Sequence, residues 1–307
     1  MSLILATLPM LLLVLAGYVL RVSGTIPQAQ WAGIDTLAFR LLIPAMLVGA
    51  ITEANLAEVA AGPFVPALLL VLALMALAAF ALKALWPGLP DPSFTTLFQI
   101  GTRWNAFIAL TAAQQFAGPE ALTWLAVAMA VTIVVINLAN IAVLGLWGRP
   151  PEGAPRGAAG MVRVVLTNPL VQASVIGLVL NLTGWGLPDF LAVTLDLAGR
   201  AALSVGLLCV GAGLMPRRLF SASAPMWAGL FLRPVLAPSL FLAIGWGFGL
   251  APAAMLAGAL VFLVPAAANG YIVARQMGGD AELYAAILTW QTLLCLPLLP
   301  LLAALVL

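Results

Sequence analysis

Apolar residues fill this chain in ten long runs, and no other feature constrains its fold as strongly. The runs span 3–20, 31–51, 63–85, 93–116 and 121–147, then, beyond a polar stretch, 169–183, 189–214, 225–249, 253–274 and 282–307. A helix needs about 20 apolar residues to cross a hydrocarbon core about 30 Å thick. Only 7% of the 307 residues are charged, against roughly a quarter in ordinary proteins, so water cannot be the solvent around most of the surface. The expectation is an all-α polytopic membrane protein of ten transmembrane helices, with no room for a soluble domain. Its surroundings are a lipid bilayer, and nucleic acid is not an expected partner. The first run lacks a basic start and a small-residue cleavage site, so it reads as a retained helix and not as a cleaved signal peptide.

The charges sort by connection. Those after runs 1, 3, 5, 7 and 9 hold Arg21, Lys83, Arg149, Arg156, Arg163, Arg217, Arg218 and Arg275. Those after runs 2, 4, 6 and 8 hold no Lys or Arg and carry Glu53, Glu58, Glu120 and Asp189. Basic loops stay in the cytoplasm. Both termini are therefore expected outside, with the Gly- and Pro-rich linker 148–163 inside. That linker divides the chain into 1–147 and 164–307, five runs each.

The two halves repeat. Pro9 and Gly17 recur as Pro169 and Gly177, 160 residues later, and Pro27 and Asp35 recur as Pro188 and Asp196, 161 later. Arg40 with Pro44 matches Arg200 with Ser204, and Asn105 with Gly118 and Glu120 matches Asn269 with Gly279 and Glu282. A unit with an odd number of crossings sets its second copy upside down relative to the first. Inverted repeats of this kind build alternating-access carriers, whose two open states are supplied by mirrored halves.

Two segments look like places where a helix opens. Run 4 contains Gln99-Ile-Gly101-Thr-Arg103-Trp-Asn105, and run 9 contains Val264-Pro265-Ala-Ala-Ala-Asn269-Gly270. Pro removes a backbone donor and Gly tolerates unusual dihedrals. Opened backbone at membrane depth is tolerated only where protein or a water-filled cavity covers it. Half-helix N-termini there carry partial positive charge, which suits an anion. Asn105 and Asn269 hold equivalent positions and are expected to approach each other, with Gly101, Pro265 and Gly270 shaping the crossing. Arg103 would be the fork for a carboxylate, or would pair with backbone carbonyls. Asn137 and Gln291 are further candidates to line the cavity. Asp35, Arg40, Asp196 and Arg200 form a second charged set, either structural ion pairs or a gating, proton-linked device. Asp196 and Arg200, four apart, share a helical face.

The chain has no His, and its two cysteines, Cys209 and Cys295, lie inside apolar runs. No metal site, catalytic group or cofactor is expected, and the protein does not read as an enzyme. A sodium/proton antiporter would want a carboxylate at the crossing, where this chain has Asn.

The stretch Asn168-Pro169-Leu170, Gly177 to Asn181, Leu187-Pro188, Leu195-Asp196 to Arg200-Ala201 and Val210-Gly211-Ala-Gly-Leu214 resembles the auxin efflux carrier family in its bacterial form. So do Arg103-Trp-Asn105 and Pro265 to Tyr271 followed by Ala274-Arg275-Gln276. The chain departs from the family pattern at Ser204, where Pro is expected, and along Gln291-Thr-Leu-Leu-Cys295. The resemblance implies the crossover fold of bile-acid symporter-like carriers, with runs 1, 2, 6 and 7 as scaffold and runs 3–5 and 8–10 as a mobile transport domain. It also implies a homodimer through the scaffold, elevator-type movement, a bacterial inner membrane, and small organic anions such as auxin-like monocarboxylates or malate- and malonate-like dicarboxylates. An anion channel and a sodium-coupled symporter of a larger amphipathic anion are the alternatives.

If the two halves are mirrored, impermeant labels applied to single cysteines should find residue 2 and the central linker on opposite sides of the membrane. Labelling of both from one side would remove the inverted arrangement.

Overall fold

The computed structural model describes residues 3–53, 62–148, 167, 169–214, 216, 223–267 and 269–307, and every element among them is helical. The linker beyond Gly148, Glu58, Arg149, Arg156, Arg163, Arg217 and Arg218 lie outside the described residues. Helix α1 is Leu3–Val22. Helices α2 (Gln28–Leu37) and α3 (Ile43–Thr52) run on through a π-helical turn at Ala38–Leu42. Then come α4 (Phe64–Leu85), α5 (Asp91–Thr102), α6 (Ala106–Trp147), α7 (Pro169–Thr183) and α8 (Asp189–Gly213). Helices α9 (Ala224–Phe231) and α10 (Ala237–Gly247) are likewise joined by a π-helical turn, Leu232–Leu236. The chain closes with α11 (Pro252–Leu263), α12 (Asn269–Met277) and α13 (Ala281–Val306). Pro27, Pro63, Pro90 and Pro188 each stand immediately before a helix. At a helix entry the missing N–H costs no intrahelical bond.

Six helical stretches among the described residues are long and apolar enough to cross a bilayer: Gln28–Gly49, Phe64–Leu85, Asp91–Trp147, Asp189–Gly213, Ala224–Gly247 and Ala281–Val306. This is an all-helical, multi-pass membrane protein. Asp91–Trp147 has 57 residues and would stand about 85 Å tall if straight, nearly three hydrocarbon thicknesses. It is not straight. Arg103 takes an extended conformation after α5, and Gly118 (φ 62°, ψ −148°) kinks the path inside α6. A side chain at that φ would be strained, so Gly118 lets the chain change direction without a loop, and Pro119 starts the next rod.

Burial separates the helices into two kinds. Ser93–Thr102 of α5 and Ala253–Leu263 of α11 are buried on every side. By contrast α1, α7 and α8 show large apolar side chains on their outer faces, including Leu12, Leu15, Ile176, Val179, Phe190 and Val193. Such faces are stable in lipid. Around α5 and α11 the other helices close with aromatic contacts. Phe80, Phe94, Phe98 and Trp147 meet at ring separations of 5.5–5.7 Å, and Phe64 packs edge-on to Trp124 at 4.9 Å.

Two long pairings cross between the halves of the sequence: α1 lies along α8, and α3 along α7. Both depend on a glycine at the contact. A Cβ on Gly17 would enter the Leu208 backbone, and one on Gly177 would press on Ile51 Cβ. The same pairings are closed at their ends by side chains. The Arg21 guanidinium donates to the Leu214 carbonyl at 2.6 Å, beyond the end of α8. The Asn181 amide donates to the carbonyls of Ile51 (3.1 Å) and Thr52 (3.0 Å), at the end of α3. Arg21 and Asn181 are 160 residues apart in sequence, the offset already seen between Gly17 and Gly177.

Gly17→Ala should lower the apparent melting temperature in detergent, because overpacking against backbone costs about 1–3 kcal/mol. Gly49→Ala, where the added methyl meets open space, should leave it unchanged or raise it slightly.

Candidate functional site

The two interruptions expected from the sequence lie against each other. Between α5 and α6 the chain is extended at Arg103 and Asn105; between α11 and α12 it is extended at Val264. The Asn105 backbone N–H donates to the Pro265 carbonyl at 2.8 Å and joins them. Four half-helix ends therefore converge: the C-termini of α5 and α11, and the N-termini of α6 and α12. A broken helix leaves carbonyls or N–H groups without their intrahelical partners, and in lipid each needs a protein partner or a wet cavity.

The polar side chains of this region supply such partners. Asn105 Oδ1 accepts from the Ile108 N–H at 3.3 Å and caps α6. Gln291 Oε1 accepts from Ala266 N–H at 2.9 Å while its Nε2 donates to the Gly229 carbonyl at 3.4 Å. The Tyr284 hydroxyl donates to the Ala267 carbonyl at 2.6 Å. Arg233 serves both C-termini. Its Nε donates to Val264 O at 2.6 Å, Nη2 to Val261 O, and Nη1 to Ile100 O (3.3 Å) and Gly101 O (3.2 Å).

Arg233 was absent from the sequence-derived candidates. Its signal was present, a lone cation followed by Pro234 within the run 225–249, and intramembrane cations are rare enough to be noted for that reason alone. Its helix widens into the π-helical turn Leu232–Leu236 at this point. Such turns accommodate a proline whose ring would clash with the preceding turn, and they recur at functional sites.

The other candidates divide into groups. Asn105 lines a small cleft with Val210, Gly213 and Leu214 from the end of α8 and Leu288 and Thr292 from α13. Arg103 is buried but does not line this cleft; its Nη1 donates to Asn137 Oδ1 at 3.3 Å on the α6 side. Beside it Asn140 donates to Thr102 Oγ1 (2.9 Å) and Ile136 O (2.7 Å). The Gln99 side-chain amide, Arg103 Nε and Asn140 Oδ1 are buried with no hydrogen-bond partner among the described residues. Asn269 begins α12, but its side chain lies outside those described. Gly101 and Gly270 do not open the helices as expected: each lies within one, Gly101 in α5 and Gly270 in α12. The breaks fall at Arg103–Asn105 and after Leu263, where Pro265 removes a donor. Gly270 is instead required by close approach, since a Cβ there would enter the Tyr284 ring.

Asp196 and Arg200 form an ion pair at 2.7 Å on an exposed face of α8, about 10 and 16 Å along it from Asp189. Asp35 is half-buried in α2, and Arg40, in the π-helical turn, is exposed. None of these four lines the cleft.

Gln291→Leu leaves the Ala266 N–H buried without its acceptor. The variant should lose stability by about 1–3 kcal/mol, read as a lower melting temperature, whereas Gln114→Leu, on an exposed face, should not.

Residues 159–303 match the family model described as membrane transport protein. No curated protein matches the chain. The matched stretch contains α7 and α8, Arg233, the second break and Gln291, so it covers the motifs of the second half from which the resemblance was read. Over that stretch the chain is similar to the membrane transport proteins, the family of the auxin efflux carriers.

Proposed function

We propose that the protein is a secondary carrier of a small organic anion, working by alternating access with its substrate held where the two breaks cross. The supporting observation is the unequal treatment of the four half-helix ends. The C-terminal, negative ends of α5 and α11 are neutralised by one guanidinium. The N-terminal, positive ends of α6 and α12 have no carboxylate among the side chains that cap or line the crossing. The crossing is thus biased towards an anion.

In this reading Asn105 and Thr292 contact the substrate from the cleft, and Asn269 would approach from α12. Arg103, with Asn137, adds positive potential behind the break and pairs with a carboxylate when the site opens. Gly101, Pro265, Gly270 and Gln291 hold the broken backbone in shape. The unpartnered Gln99 amide, Arg103 Nε and Asn140 Oδ1 favour a polar occupant close by. The ligand class is an auxin-like monocarboxylate or a malate- or malonate-like dicarboxylate.

The architecture we propose is two inverted five-helix repeats, 1–147 and 164–307, joined by a cytoplasmic linker at 148–163. The reciprocal use of Gly17 and Gly177, and of Arg21 and Asn181, supports it, as does the presence of one break in each half. Runs 1, 2, 6 and 7 would form a scaffold and runs 3–5 and 8–10 the moving domain of an elevator, in a plasma membrane with both termini outside. The exposed Asp196–Arg200 pair is costly against lipid. Covering it, together with Arg40 and Asp35, is a role for a second copy of the scaffold, and these four charges could then respond to movement or to protons.

Purified protein in liposomes should take up labelled malate, malonate or indole acetate, and unlabelled substrate inside should accelerate entry, which a channel would not show. Asn105→Ala should reduce uptake about tenfold or more, equivalent to about 1.4 kcal/mol or more of lost stabilisation. Unchanged uptake by Asn105→Ala and Arg103→Ala would remove both residues from the mechanism.

A further inference from the structure

Arg233 heads the largest fully buried side chains among the described residues, with 0% exposure. A cation so placed is ordinarily balanced by a carboxylate. Here all four hydrogen bonds go to main-chain carbonyls, at Ile100, Gly101, Val261 and Val264. Those carbonyls are the C-terminal ends of two helices, α5 and α11. Each helix end carries about half a negative charge, so two ends present about one, and a single guanidinium balances them. The planar fork is suited to this task because its five donors diverge far enough to reach two helices. An ammonium would act as a point charge and could not satisfy both ends equally.

Carbonyls gathered at the C-terminal ends of interrupted membrane helices are a general way for carriers to hold a sodium ion or a proton. In this protein the same kind of oxygen cluster is occupied by a side chain. We propose that Arg233 is a resident counter-cation of the crossing: its guanidinium takes the place a coupling cation would hold among these carbonyls, and positions both C-terminal ends so that the opposite, N-terminal ends stay aimed at the substrate. Only the transport consequence rests on the carrier reading above. The electrostatic role stands without it.

Two consequences separate this role from ordinary packing. The intact protein needs no sodium to complete the crossing, and a variant without the guanidinium contains a carbonyl-lined gap that accepts a small cation of matching shape. Melting curves should be recorded in detergent without substrate, for the wild type, Arg233→Ala, Arg233→Lys and, as a control, Arg200→Ala. Each is measured in sodium chloride, in choline chloride at equal ionic strength, and with low-millimolar guanidinium added. The wild type and Arg200→Ala should melt at the same temperature in all three. Arg233→Ala should melt lower and recover part of the loss with guanidinium, because a ligand that binds only the folded state raises its stability. In liposomes its uptake should fall about tenfold or more, and guanidinium should restore part of it, which a purely steric role for Arg233 would not predict. Arg233→Lys should fold and lie between the two.

A sodium-dependent rise in the melting temperature of the wild type would overturn the proposal, and it needs no variant to fold. So would an Arg233→Ala protein that melts and transports like the wild type, or one whose defect guanidinium leaves untouched. Absence of substrate uptake by the wild type would instead count against the carrier reading, while the melting arms would still decide the role of Arg233.

Discussion

Within a bilayer, main-chain polar groups have no solvent to receive them, and the rest of this structure follows from how that requirement is met at two broken helices. Breaking a helix frees carbonyls on one side of the break and N–H groups on the other. The chain closes part of the deficit by placing one break on the other, through Asn105 N–H and Pro265 O. It closes more with Asn105 Oδ1, Gln291, Tyr284 and Arg233. Asn105 stands at the start of α6, Arg233 in the turn between α9 and α10, and Tyr284 and Gln291 on α13, so the crossing is stable only when these elements are packed around it.

That dependence explains the distribution of burial. Helices α5 and α11 carry the freed C-termini and are enclosed on every side. The aromatic contacts of Phe64, Phe80, Phe94, Phe98 and Trp147 fix the surrounding helices at ring-to-ring distance. On the other face Asp280 ties the turn before α13 to the start of α5, accepting from Ser93 Oγ at 3.0 Å and capping Leu283 N–H at 3.0 Å. Helices α1, α3, α7 and α8 do different work. They pair along glycine contacts, and α1, α7 and α8 carry apolar side chains on their outer faces.

Much of this was legible from the residues because the signals are local. Pro265 and the polar cluster from Gln99 to Asn105 mark their breaks, and Gly118-Pro119 separates two runs that stay fused in hydrogen bonding. The Asp196–Arg200 pair follows from helical spacing alone. What could not be read is which way a buried side chain points. Arg103 and Asn105 are two residues apart in extended backbone, where such side chains ordinarily share a side, yet only Asn105 lines the cleft and Arg103 turns towards Asn137. Gly101 and Gly270 were attributed to opening, a backbone property, but Gly270 answers to the ring of Tyr284, fourteen residues away in sequence. Arg233 shows in the sequence as a lone cation in an apolar run, but the carbonyls it serves have no signature there.

The exchange between Arg21 and Asn181 bears on how the protein is made. Arg21 terminates a helix that ends nearly two hundred residues later, and Asn181 terminates one that has already been synthesised. The last carbonyls of α3 and α8 are therefore each met by a side chain from the other part of the chain. Synthesis proceeds at about 5–20 residues per second, so α3 must wait in the membrane for seconds or longer with the carbonyls of Ile51 and Thr52 still lacking their native partner. This swap of end-pieces binds the early and the late parts of the chain into one cooperative body.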